Sequence, residues 1–123
     1  MENQDIFTNI KFQIKLNDFD DKVIAIATAT INDQLDIRFI PIIWKEGKTG
    51  IFTTMPSLKK YRFQNCVVIL DVDVYRKFQE RVIDLFLEKA KEKFNKYEYE
   101  MIERAVESNR NREEEINLDD ISL

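Results

Sequence analysis

The hydrophobic periodicity of this 123-residue chain changes once, near residue 70, and that change limits the fold more than any other feature. Before it, apolar and polar residues alternate, which is how strands with one wet face read. Ile10, Phe12, Ile14 and Leu16 are separated by Lys11, Gln13 and Lys15. A second segment sets Val23, Ala25, Ala27, Ala29 and Ile31 on one face and Ile24, Ile26, Thr28 and Thr30 on the other. A third places Leu35, Ile37 and Phe39 together, with Asp36 and Arg38 between them. After residue 70 the period is four: Val74, Phe78, Val82, Phe86, Ala90 and Phe94 make one helical stripe, broadened by Leu85. The expected class is α+β, an antiparallel sheet of four to five strands followed by a long C-terminal α-helix.

The joints between these segments are legible from turn chemistry. Residues 17–21 (NDFDD) form a turn cluster that lacks the glycine and terminal glutamate of an EF-hand. Asn32 and Asp33 tolerate the left-handed backbone of a tight hairpin. Pro41 breaks the third alternation, so residues 40–44 are expected at an edge or bulge. The alanine row leaves room for the helix to approach closely. Residues 50–57 (GIFTTMPS) read as a short strand, opened by Gly50 at a tight turn and ended by Met55-Pro56-Ser57. Such a strand delivers Lys59, Lys60 and Arg62 to the rim of the sheet. The apolar run 66–70 suits a covered strand, with Cys66 as a small buried hydrophobe.

Asp71 or Asp73 is placed to cap the helix. No stop is evident before residues 108–111, and Tyr97, Met101 and Ala105 carry the stripe beyond what a small sheet covers. That extension is expected to pack on a second subunit or to fray. Residues 113–123, acidic and poor in aromatics, read as a disordered tail. The resulting division is a sheet-and-helix domain over 1–94, a helix extension over 95–112 and the tail.

Composition narrows the chemistry. The chain has no histidine, which removes Ser-His-Asp and Cys-His nucleophilic sites and the commonest metal ligand. Its acids are scattered, so no metal, cofactor, small-molecule substrate or enzymatic reaction is expected. One cysteine excludes an internal disulfide. With no secretory leader and no membrane-length apolar run, the simplest location is cytoplasmic. The net charge of −4 conceals a polarity. Lys45, Lys48, Lys59, Lys60 and Arg62 face only Glu46 between residues 45 and 62, whereas residues 107–123 hold six acids and two arginines. The first stretch is a candidate anion-binding patch; the acidic end is a candidate docking peptide.

Three blocks then fall in a familiar order: Ala25-Ile26-Ala27-Thr28, Asp36-Ile37-Arg38-Phe39-Ile40 and Gly50-Ile51-Phe52-Thr53-Thr54-Met55-Pro56-Ser57. With the helix near Asp73 carrying Lys77, Phe78 and Val82, residues 10–94 resemble the SpoVG family of septation and sporulation regulators. The resemblance implies a bacterial, cytoplasmic α+β homodimer that binds DNA and RNA without enzymatic machinery. It also implies nucleic-acid contacts at Lys59 and Lys60, after Met-Pro-Ser, and at Lys77 and Arg81 on the helix. Charge adds Lys48 and Arg62 to that set, and Tyr61 or Phe63 would stack on exposed bases. Two alternatives remain open. One is binding along Lys89, Lys91, Lys93 and Lys96 on the helix. The other is a protein-interaction module built on the helix extension and acidic end, without nucleic acid.

Overall fold

The computed structural model describes residues 9–58 and 64–121. They form an α+β fold: a four-stranded antiparallel sheet followed by C-terminal helices. The strands β1 (Ile10–Leu16), β2 (Val23–Ile31), β3 (Leu35–Trp44) and β4 (Ile51–Thr53) lie side by side in chain order. A separate two-stranded ribbon, β5 (Ser57–Leu58) with β6 (Gln64–Asn65), leads to α1 (Val72–Lys93) and α2 (Lys96–Ile121). β4 ends at Thr53, ahead of Pro56, and Ser57, expected to close it, begins β5; the Pro56 carbonyl accepts from the Cys66 amide at 2.7 Å.

The turns follow their residues. Asn32 and Asp33 both have positive φ (54° and 56°), and Gln34 N–H donates to the Ile31 carbonyl, giving the mirror-image turn that suits strand twist. Gly47 (φ 72°) and Lys48 (φ 57°) make the tight turn before β4. Gly50, expected to make that turn, is instead packed close: a Cβ there would lie 2.9 Å from the Lys45 side chain.

β2 and β3 pair with two register shifts, and the one between Ala27 and Ala29 decides which residues of β3 enter the core. Between Ala27↔Ile40 and Ala29↔Ile37, three steps of β3 face two of β2, so Arg38 and Phe39 together oppose Thr28. The extra residue shifts parity after Ile37, so Ile40, Ile42 and Trp44 point inward and Phe39, expected on that face, does not. Leu35 and Phe39 are 58% and 71% exposed. The bulge therefore precedes Pro41, and β3 is interior to the sheet rather than an edge.

The inward face of β2 is the alanine row, with Ala25, Ala27 and Ala29 fully buried. Phe78, Val82, Phe86 and Ala90 of α1 belong to the same buried cluster, and Phe78 meets Phe12 edge to face at 5.4 Å. Asp71 caps α1 by accepting from the Asp73 and Val74 amides.

The single long helix expected from the pattern is divided. α1 stops at Phe94, whose backbone is extended, and Asn95 starts α2 with a reciprocal box. The Asn95 side chain accepts from the Glu98 amide at 2.8 Å, and the Glu98 carboxylate accepts from the Asn95 amide at 3.2 Å. The break lets α2 fold back on α1 and β4. Its buried stripe is Ile102, Ala105, Val106 and Asn109; of the expected Tyr97, Met101 and Ala105 only Ala105 lies in it, Met101 being half-buried and Tyr97 exposed, so the extension packs within its own chain. α2 continues to Ile121, into the acidic stretch read from composition as disordered. The run 66–70 is no strand: Cys66 and Val68 are exposed and Leu70 is 91% exposed, while Val67 and Ile69 pack against the core.

Asn95→Ala removes one half of the box that ends α1, and should lower unfolding free energy by about 1 kcal/mol. Phe86→Ala, which empties a fully buried site, should cost about 3–5 kcal/mol. Urea melts of the two variants check both values, and their order is the sharper outcome.

Candidate nucleic-acid interface

The cations named from sequence do not share one environment. Lys59, Lys60 and Arg62, with Tyr61 and Phe63, lie outside the described residues. The points at which that segment leaves and rejoins the fold are described, because the ribbon ladder ends at the pair Leu58↔Gln64. Lys77 and Arg81 are exposed, one turn apart on α1, and neither is ion-paired among the described residues.

Lys48 is engaged elsewhere. Its ammonium is 3.1 Å from the Asp20 carboxylate, and sits 5.5 Å from the Phe19 ring centre and 5.8 Å from that of Trp44. Phe19 in turn meets Trp44 and Phe94 edge to face, and its carbonyl accepts from the Trp44 indole N–H at 2.9 Å. Lys48 thus fastens the 17–21 turn over the end of the sheet, which is a packing task. Lys93 does similar work, donating to the Leu16 and Asn17 carbonyls. All four helix lysines set out as an alternative are exposed, and among the described residues Lys89, Lys91 and Lys96 make no such bond.

The sheet surface away from the helices holds groups that alternation did not single out. Lys11, Gln13 and Lys15 stand exposed on β1, beside Thr28 and Thr30 of β2 and the bulge pair Arg38 and Phe39 of β3. Arg38 is held in place: its Nε and a terminal nitrogen donate to one Asp36 oxygen at 3.3 and 3.2 Å. The other Asp36 oxygen accepts from the Thr30 hydroxyl at 2.7 Å. Lys11 pairs with Asp33 at 3.0 Å, and Lys15 has no ion pair among the described residues. A hollow of about 620 Å³ runs over this face and around the β1 edge, bordered by Gln13, Lys15, Arg38, Phe39, Glu88 and Lys89 among others. A smaller hollow of about 330 Å³, between β4 and the two helices, is bordered by Arg76, Gln79, Asn109 and Arg110.

Phe39 escaped sequence reading because period two assigns it inward. The nearby proline signals an irregularity, but not the parity change. No protein-family model matches the chain, and no curated protein matches it. The likeness to SpoVG proteins rests on the sequence blocks alone.

The Thr30 hydroxyl, and then the Arg38 guanidinium, hold the Asp36 carboxyl below the ordinary carboxylate value. A depressed folded-state pKa stabilises the fold above the unfolded value, and that contribution is lost as pH falls through the folded one. Thr30→Val should move the Asp36 titration up towards an ordinary aspartate, seen by NMR of its side-chain carbon. An unchanged midpoint would assign the depression to Arg38 alone.

Proposed function

We propose that the protein is a SpoVG-like homodimer that binds DNA or RNA in the bacterial cytoplasm as a non-enzymatic regulator. The observation that carries this reading is the β5–β6 ribbon. Its ladder closes at Leu58↔Gln64, so the five residues between them, three of them cations, leave and return at neighbouring points. No acid occurs between Ile51 and Leu70 to neutralise those charges. Clustered lysine and arginine meet phosphates wherever a duplex or strand presents them, giving salt-sensitive, weakly sequence-specific affinity. Exposed Lys77 and Arg81 add to the same attraction.

Support for the dimer comes from residues 66–72. Val67 and Ile69 face the core, while Val68, Leu70 and Val72 lie bare. A run apolar on both sides suits a covered segment, and a second copy, placed by two-fold symmetry, supplies that cover and doubles the basic surface. The competing reading is a protein-interaction module built on the helix extension and the acidic end, without nucleic acid. Of the extension's residues, Ile102, Ala105 and Val106 are buried within the chain and Tyr97 is exposed.

Changing Lys59, Lys60 and Arg62 together to alanine should leave the melting temperature nearly unchanged if these cations serve phosphate binding and not the fold. The log–log salt dependence of duplex binding should flatten by about 0.9 for each phosphate that is no longer neutralised. Wild-type affinity and slope in this variant would exclude the ribbon as the binding element. Leu70→Asp should lower the mass found by light scattering to that of one chain; a wild-type chain already at that mass would remove the dimer.

A further inference from the structure

Phe39 is where the fold departs furthest from what a strand requires. A bulky side chain at positive φ (61°) is rare and strained. Bulges commonly re-aim a side chain, and this one puts an aromatic ring, 71% exposed, beside an arginine on the wet face of the sheet. Neither residue serves the core: Ile37 and Ile40 fill the inward positions on either side. The ring borders the 620 Å³ hollow, along with three cations, Lys15, Arg38 and Lys89, and one acid, Glu88. Arg38 is drawn towards Asp36 by its two contacts to one carboxylate oxygen and remains exposed. Gln13 and Thr28 supply neutral hydrogen-bonding groups in the same hollow.

We propose that this face takes the unpaired bases of single-stranded nucleic acid, with a base stacked on Phe39 and the strand's phosphates at Lys15 and Lys89. The inference rests on the nucleic-acid reading above and deepens it, since it selects single strands over duplex. A duplex keeps its base faces stacked inside and offers nothing to an exposed ring; a single strand offers both π-faces and charge. Lys15 and Lys89 lack ion pairs among the described residues, so their charge is available to phosphate.

Phe39→Gly separates this role from folding, because glycine adopts positive φ without strain and the ring contributes nothing to the core. With labelled oligo-uridylate and oligo-deoxythymidylate, the variant should lose about five- to a hundred-fold in affinity. Its affinity for duplex of the same length, and its melting temperature, should not fall. Phe39→Trp should keep the affinity, and its emission should be quenched as single strands bind. Lys15→Ala should flatten the single-strand salt dependence by about 0.7.

Unaltered single-strand binding by Phe39→Gly overturns the sheet-face site. So does an unquenched Phe39→Trp with strand bound, or a wild-type protein that prefers duplex. In each of these the nucleic-acid reading survives, provided the Lys59, Lys60 and Arg62 variant is weakened. A wild-type protein that binds neither single strand nor duplex overturns both.

Discussion

The contact between the alanine row of β2 and the apolar stripe of α1 is the constraint on which the structure depends. Three fully buried alanines leave no side chain standing between the sheet and the helix, so Phe78, Val82, Phe86 and Ala90 reach the same cluster as Ile40, Ile42 and Ile51. Interiors pack at near-crystalline density, and a larger residue in that row would push the helix off the sheet. Everything outside follows from this contact. Asp71 caps the helix that makes this contact, and α2 packs against α1 and β4 beside it.

Both ends of that layer are closed by polar groups acting on apolar ones. At one end Lys48, Asp20, Phe19, Trp44 and Phe94 bind the 17–21 turn to the sheet and the end of α1. At the other, Gln79 of α1 donates to the Thr53 carbonyl and the Thr53 hydroxyl donates to that of Pro41, tying the helix to β4 and β4 to β3. These bonds satisfy carbonyls that a short strand beside a proline would otherwise leave unpaired. A lysine counted from sequence as a phosphate ligand is thus a fastening of the fold. Formal charge does not distinguish the two uses.

The bulge in β3 connects fold and candidate function. One extra residue rescues the core, bringing Ile40, Ile42 and Trp44 inward after Ile37. The same residue expels Phe39 and leaves Arg38 beside it on the exposed face. Strain at Phe39, of order 1–3 kcal/mol, is tolerated because the two flanking pairs, Ile37 with Ala29 and Ile40 with Ala27, over-determine the backbone there.

Sequence alone determined the types of β1 to β4 and of α1, the two hairpin residues at positive φ, a cap at Asp71 or Asp73, the alanine face and the stripe that covers it. Each depends on residues near one another in the chain, where periodicity and turn chemistry act directly. The Asn95-Lys96-Tyr97-Glu98 box was also local and legible, but the continuing apolar spacing concealed it. Tertiary structure decided the rest. Whether Phe39 faces in or out depends on how β3 registers against β2, and whether Lys48 is free depends on where Asp20 and Trp44 arrive. Whether Cys66 is buried depends on what lies over residues 66–70. Those are questions about partners distant in sequence, and neither the period of a segment nor its charge contains their positions.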